Sequence, residues 1–96
     1  MITTHAIEIT KEEVSALRFP AEAVQLSDEH RRRRDAQLER AMRLGNGDRI
    51  KCRILFKDAE GLKQVHTTVW SVDRDAITLK AGVTIPVSRV LAVDLP

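Results

Sequence analysis

The chain has 96 residues, of which 43% are hydrophobic and 31% are charged, and its net charge is +2. That length supports one small domain with a modest core, and the balance of residue types excludes a disordered chain. The aromatic residues are Phe19, Phe56 and Trp70, too few for a row of exposed rings on which several nucleic-acid bases could stack.

The charge is distributed unevenly along the chain. Residues 1–30 carry six acidic and two basic side chains, whereas residues 31–53 carry nine basic and three acidic ones. Residues 54–96 carry five of each sign. The pattern separates an acidic N-terminal segment, a basic middle segment and a balanced remainder. We therefore ask whether the acidic segment folds back over the basic one.

Residues 1–27 predict a short, partly helical N-terminal arm. Thr10 and Glu13 have the spacing of a capping box, in which a hydroxyl and a carboxylate each satisfy a free backbone N–H at a helix start. Pro20 disfavours helix at the preceding Phe19 and is itself tolerated at the first position of another turn. Because these signals are short and interrupted, we expect the arm to pack loosely.

A longer helix is predicted over residues 28–44. Ser27 is suited to cap its N-terminus, and the acidic residues that follow suit the positive end of the helix dipole. Gly45 is expected to end the helix in a left-handed conformation. The apolar positions lie in its second half: Leu38, Ala41 and Met42. The charged first half is therefore expected to project from the core.

From residue 48 onward, hydrophobic residues recur at every second position instead of every three to four positions. This alternation predicts β-strands. Five strands are expected, over residues 50–56, 63–72, 76–80, 83–85 and 91–95. Pro86 should end the fourth strand, because proline has no N–H to donate to a ladder. One helical turn over residues 87–90 is expected before the last strand. Cys52, Ile54 and Phe56 are predicted on the buried face of the first strand.

This order of elements resembles a small SH3-like barrel, and the helix ahead of the first strand makes it most similar to the Sm-like branch. The chain also resembles a group of small uncharacterised bacterial proteins with a helix ending in Leu44-Gly45-Asn46 and a strand containing Thr68-Val69-Trp70. The resemblance implies a mainly β fold of the α+β class. A five-stranded SH3-like/Sm-like barrel would follow the helix and the arm, with residues 28–96 forming one domain.

A basic surface is the most conspicuous candidate site. The candidate anion or nucleic-acid contacts are Arg31, Arg32, Arg33, Arg34, Arg49, Lys51, Arg53 and Arg89. Together they could form a phosphate-binding stripe. The simpler interpretation is a solvated helix, because acidic residues lie four positions from several of these arginines and four consecutive helical positions point to all sides.

The resemblance to Sm-like proteins also implies RNA contacts from two loops. The loop after the second strand normally offers an Asp and an Asn, whereas here it reads Asp73-Arg74-Asp75. The loop before the last strand offers only Arg89 as a basic residue. Both departures disfavour RNA binding of the Sm type.

Trp70 is a candidate anchor for a protein partner. If Thr67 and Val69 face inward, Trp70 points outward and is available for contact. If Trp70 and Val72 face inward, Trp70 belongs to the core. Both faces of this strand carry apolar residues, which indicates that the second face is covered by the helix, the arm or another subunit.

The sequence contains no recognisable catalytic, cofactor-binding or metal-binding motif. His5, His30 and His66 do not have metal-ligand spacing, and Cys52 is expected in the core. Gly-rich phosphate loops and nucleophile elbows are absent from the sequence. We therefore expect neither enzyme activity nor a cofactor.

Location in the cytoplasm is the expected default. A single cysteine cannot form an intrachain disulfide, and residues 1–5 lack the features of a secretory leader. The longest uncharged stretch is nine residues, 64–72, shorter than the ~20 residues that span a bilayer. No membrane partner is expected.

The leading functional hypothesis is a non-enzymatic binding module of unknown ligand, with contact to an unknown protein partner or self-association as a homo-oligomer favoured. The alternative is an Sm-like nucleic-acid-binding protein that uses the basic helix and the basic face of the first strand.

Overall fold

Two β-sheets and one long helix form the framework of the chain in the computed structural model, which describes residues 6–96. The helices are α1 (Lys11–Val14) and α2 (Asp28–Asp48). The strands are β1 (Ile7–Ile9), β2 (Cys52–Lys57), β3 (Leu62–Thr67), β4 (Val69–Val72), β5 (Ala76–Leu79), β6 (Thr84–Pro86) and β7 (Val90–Asp94). The fold is mainly β and of the α+β class, as predicted.

The strands form a four-stranded sheet in the order β1-β3-β2-β7 and a three-stranded sheet in the order β4-β5-β6. The prediction of five strands was wrong in number for two reasons. The predicted second strand is divided at Thr68 into β3 and β4, which belong to different sheets, and β1 adds a strand parallel to β3. Within residues 6–96, no strand pairing joins the two sheets into a closed barrel.

One core lies between the two sheets. In β2 the side chains of Cys52, Ile54 and Phe56 are buried, which confirms the predicted alternation. Val65 of β3 and Ile77 of β5 are completely buried in the same cluster. Each fully buried side chain of this size contributes about 1.5–3 kcal/mol relative to an exposed one.

The described part of the arm packs onto this core. Val14 is 1% exposed, and the ring of Phe19 lies 5.9 Å from that of Phe56. The backbone N–H of Val24 donates a hydrogen bond of 2.8 Å to the Ser88 carbonyl. The expectation of a loosely packed arm was therefore wrong. The predicted start of α1 is confirmed, since the Glu13 carboxylate accepts a hydrogen bond of 2.7 Å from the Thr10 N–H.

Helix α2 begins as predicted but ends later. The Ser27 hydroxyl accepts a hydrogen bond of 3.1 Å from the His30 N–H, which confirms the N-cap. The helix continues through Gly45 to Asp48, and the left-handed residue after it is Arg49, with φ 56° and ψ 36°. The predicted stop at Gly45 was wrong, because this glycine has a different role.

Gly45 allows α2 to approach the backbone of β4. An ideal Cβ at residue 45 would lie 2.3 Å from the Val69 carbonyl oxygen and 2.8 Å from the Thr68 Cγ2 atom. Gly47, two residues further along the same helix, has no atom from outside its own stretch of helix within 4 Å of its ideal Cβ. Only a residue without a side chain can therefore occupy position 45 while the helix and strand stay in place.

Gly45→Ala should lower the free energy of unfolding by about 1–3 kcal/mol, because the added methyl group must push the helix away from β4. Gly47→Ala is the matched control and should raise it by up to about 1 kcal/mol, since alanine favours the helix. Urea unfolding of both variants measures the two effects. Shifts of the same sign would contradict this account of Gly45.

A buried ion pair organises the hairpin between β2 and β3. The Asp58 carboxylate accepts hydrogen bonds from the Lys63 Nζ at 2.8 Å and from the N–H groups of Glu60 and Gly61 at 2.9 and 3.0 Å. Burial raises the pKa of Asp58, but these hydrogen bonds to its charged form outweigh burial and lower the pKa below its ordinary value. The hydrogen bond with Asp58 raises the pKa of Lys63.

The stabilisation from Asp58 should be present above the unfolded-state pKa of about 4 and lost as the pH falls through the lower folded-state pKa. Asp58→Asn should therefore lower the free energy of unfolding by about 3 kcal/mol at neutral pH and reduce its loss on acidification. Urea unfolding at neutral and acidic pH measures both effects. Asp94→Asn, at an exposed position, is the control. If the two variants lost the same free energy of unfolding on acidification, the role of Asp58 would be contradicted.

Candidate functional site

The four consecutive arginines do not form one basic surface. Arg31 and Arg33 make ion pairs within the helix, with Asp28 and with Glu29 respectively, while Arg32 is exposed. The Glu29–Arg33 pair has the predicted spacing, whereas Arg31 pairs three residues back instead of four residues forward. Exposed pairs of this kind contribute only about 0.2–0.5 kcal/mol each. They do, however, reduce the positive field of the helix surface.

Arg34 and Arg89 are buried, which contradicts their prediction as anion contacts. Arg34 is 6% exposed, and its Nη1 donates hydrogen bonds to the carbonyls of Val87 at 3.1 Å and Val90 at 3.0 Å. Arg89 is 7% exposed, and its Nε donates to the Lys57 carbonyl at 2.9 Å. Both guanidinium groups thus satisfy backbone carbonyls and hold elements together.

Arg53 is directed toward the arm. Its guanidinium is half-buried and lies 3.7 Å from the Glu8 carboxylate, next to β1. This is the one ion pair that joins residues 6–27 of the arm to the basic segment, residues 31–53. The arm therefore neutralises Arg53 and leaves Arg49 and Lys51 exposed.

A cleft of about 580 Å³ lies where α2 ends against β4. We call it the Trp70 cleft; its lining residues are Gly45, Asn46, Arg49, Lys51, Thr68, Trp70 and Lys80. Its volume is within the ~300–1,000 Å³ range of ligand sites. The lining contains three cationic side chains, Arg49, Lys51 and Lys80, which we call the cleft cations. All three are exposed, and none forms an ion pair with a carboxylate of residues 6–96.

The orientation of Trp70 resolves the alternatives left open by the sequence. Thr67 and Val69 are buried, and Trp70 is 45% exposed, so the indole belongs to the cleft and not to the core. Val69 pairs with Leu79 and Ser71 pairs with Thr78, which leaves Trp70 as an extra residue in the ladder. Such a β-bulge redirects a side chain out of the regular alternation.

Two left-handed residues border the same cleft. Arg49 has φ 56° and Ala81, which follows Lys80, has φ 72°. This conformation costs a residue other than glycine roughly 1–2 kcal/mol. The Lys80 N–H donates a hydrogen bond of 3.0 Å to the Thr68 carbonyl, so the turn that contains Ala81 fixes Lys80 beside β4. The bulge at Trp70 and the left-handed Arg49 therefore lie in the cleft, and Ala81 lies in the turn that follows Lys80.

The electrostatics of the Trp70 cleft favour an anion. The last turn of α2 contributes a partial negative charge equivalent to about half an electron, which the cleft cations exceed. Glu8 and Glu12 face an adjoining cleft that shares Lys51 and Lys80 with this one. Their carboxylates lie beside Arg53 and Lys11, at 3.7 and 2.6 Å. The Trp70 cleft itself combines positive charge with one flat aromatic face.

The other residues weighed from the sequence lie elsewhere. His30 Nε2 is 2.9 Å from the Leu91 carbonyl oxygen, His66 is exposed on β3, and His5 lies outside the described residues. Cys52 is buried, and burial raises its pKa to about 11. Residues 6–96 contain no group of three or more potential His, Cys, Asp or Glu metal ligands, and no helix among them is long and apolar enough to cross a membrane.

Comparison of the chain with protein-family models, with curated proteins and with solved structures gives no match. The assignment of the site therefore depends on its geometry. The sequence pointed to Arg49 and Lys51 as anion contacts and to Trp70 as a partner anchor, but it missed Lys80, Asn46 and Thr68. Their spacing in the sequence does not predict that they are neighbours in the fold, because the cleft forms only when α2 packs on β4.

Arg34→Met should lower the free energy of unfolding by about 2 kcal/mol, because it removes the two hydrogen bonds that the buried guanidinium donates to the carbonyls of Val87 and Val90. Arg32→Met, at an exposed position in the same turn of α2, should change it by less than about 0.5 kcal/mol. Urea unfolding of the two variants measures this difference. Equal effects would show that the Arg34 hydrogen bonds do not stabilise the fold.

Proposed function

We propose that the protein is a non-enzymatic binding module whose Trp70 cleft takes an anionic ligand. The observation that carries the proposal is the group of three unpaired cations around one exposed tryptophan. In the described chain, the lining of this cleft has no carboxylate, imidazole or thiol, the groups that most often transfer protons in enzymes. Recognition without chemistry is therefore the role that this lining fits best.

We also propose that the two sheets are the halves of a small SH3-like/Sm-like barrel. The chain passes from β3 to β4 through Thr68 alone, so these two strands can be treated as one bent strand. The path then follows the order β7-β2-β3/β4-β5-β6, and the inward side chains of both sheets share one core. A bent strand and a shared core are typical of small barrels.

The conformation of Arg49 supports a binding role for its side chain. The N–H groups of Arg49 and Ile50 donate to the carbonyls of Gly45 and Leu44 at 3.1 and 3.2 Å, and glycine is the favoured left-handed residue at such a helix end. An arginine at that position reduces stability in comparison with glycine. The strain is accounted for if the guanidinium contacts the ligand.

Arg49→Gly should raise the free energy of unfolding by up to about 1 kcal/mol and weaken anion binding. Inorganic polyphosphate is a suitable probe, because Trp70 is the only tryptophan in the chain and its fluorescence reports on the cleft. Loss of one cation should also reduce the slope of log affinity against log salt by about 0.7–0.9.

Arg40→Gly is the matched control, since Arg40 is an exposed arginine of α2 that does not line the cleft. It should lower stability and leave polyphosphate binding almost unchanged. Equal loss of binding in the two variants would indicate diffuse attraction and contradict a site at the cleft. If polyphosphate and polyglutamate both fail to bind the wild-type protein at low salt, the proposed function is wrong.

A further inference from the structure

We infer that the anionic ligand is a single-stranded nucleic acid, with one base stacked on Trp70 and the neighbouring phosphates held by the cleft cations. This inference rests on the proposed function and specifies its ligand class. It does not involve the loops through which the resemblance to Sm-like proteins implied RNA contacts, because Arg89 is buried and the Trp70 cleft is formed by other residues.

The combination of groups in the cleft favours a ligand that is both flat and anionic. Phosphates or carboxylates alone would be satisfied by the cations and would not need an aromatic face. Every nucleobase has a π-face, so base stacking on an indole is largely independent of sequence. Asn46, exposed in the lining, has both a donor and an acceptor for the edge of a stacked base.

The charges reach the cleft from two elements that contact β4. Arg49 and Lys51 belong to the connection that follows α2, the helix whose Gly45 contacts the β4 backbone. Lys80 follows β5, which pairs with β4 and whose turn is bonded to the Thr68 carbonyl. Trp70 lies on the strand that both elements contact. A chain with phosphates on either side of each base matches this arrangement.

An unpaired strand fits the site better than a duplex. The bases of a duplex are stacked on one another, so an indole can reach a base face only where the strand is single. The helix surface that could follow duplex phosphates has most of its arginines neutralised, since Arg31, Arg33 and Arg43 are in ion pairs. With one accessible ring and three cations, we expect a short footprint.

The test uses fluorescently labelled oligothymidine of about ten nucleotides, a length within the range covered by single-strand binding modules. Its anisotropy should report binding, and the fluorescence of Trp70 should be quenched. With three phosphate contacts on a single strand, log affinity should fall with log salt with a slope of about −2. An abasic oligonucleotide of equal length, the matching duplex and polyphosphate are measured in parallel.

Substitutions at Trp70 and Lys80 separate stacking from charge, and a substitution at Arg40 is the control. Trp70→Ala should weaken oligothymidine binding about 5- to 150-fold with no change in the salt slope, whereas Trp70→Phe should restore part of the affinity. Lys80→Gln should reduce the salt slope by about 0.7 and leave the quenching of Trp70 at saturation intact. Arg40→Gln should change neither quantity. The circular dichroism of each variant establishes that it is folded.

The outcomes distinguish failure of this inference from failure of the proposed function. If abasic and base-containing strands bind equally, or the duplex binds as tightly as the single strand, the inference is wrong and the anion site stands. If the protein binds polyglutamate more tightly than oligothymidine, the inference is also wrong, and the ligand is an acidic protein. If none of the anionic probes binds, both proposals are wrong.

Discussion

The close contact between Gly45 and the backbone of β4 determines the position of the cleft as well as the packing of the helix. It brings the last turn of α2 against Val69, whose side chain is buried in the core, while Trp70 points outward beside the helix end. The left-handed Arg49 then turns the chain toward β2 and places Lys51 at the same edge. A single missing side chain thus allows the charged and aromatic parts of the site to meet.

The distribution of charge on the surface differs from its distribution in the sequence. The densest run, Arg31 to Arg34, supplies two exposed side chains in ion pairs and a third, Arg34, that is buried and paired with Asp35. Lys80, which lies in a segment with no net charge, joins two residues of the basic segment at the cleft. Because ion pairs cancel a field locally and unpaired cations add to it, the three unpaired cations of the cleft contribute more positive field than the arginine run, in which Arg32 alone is exposed and unpaired within the described residues.

Features of the fold that depend on residues close together in the sequence could be predicted. The Ser27 cap, the alternation of Cys52, Ile54 and Phe56, the strand that ends at Pro86 and the turn over Val87–Arg89 all follow from local geometry. Strand β1 was missed because three residues carry little signal and depend on the edge of β3 for pairing. The Trp70 cleft could not be predicted, since Gly45, Trp70 and Lys80 become neighbours only when α2 packs on β4.

The backbone conformation of Arg49 supports the proposed binding role of its side chain. Four residues of the described chain have positive φ: glycine occupies two of these positions, 61 and 82, while Arg49 and Ala81 occupy the others. Glycine at position 49 would remove the strain and keep the two hydrogen bonds that end α2, because both use backbone atoms. The guanidinium of Arg49 makes no ion pair with a carboxylate of residues 6–96 that would offset this cost. The proposed anion beside Trp70 would give the Arg49 side chain a contact that offsets this cost.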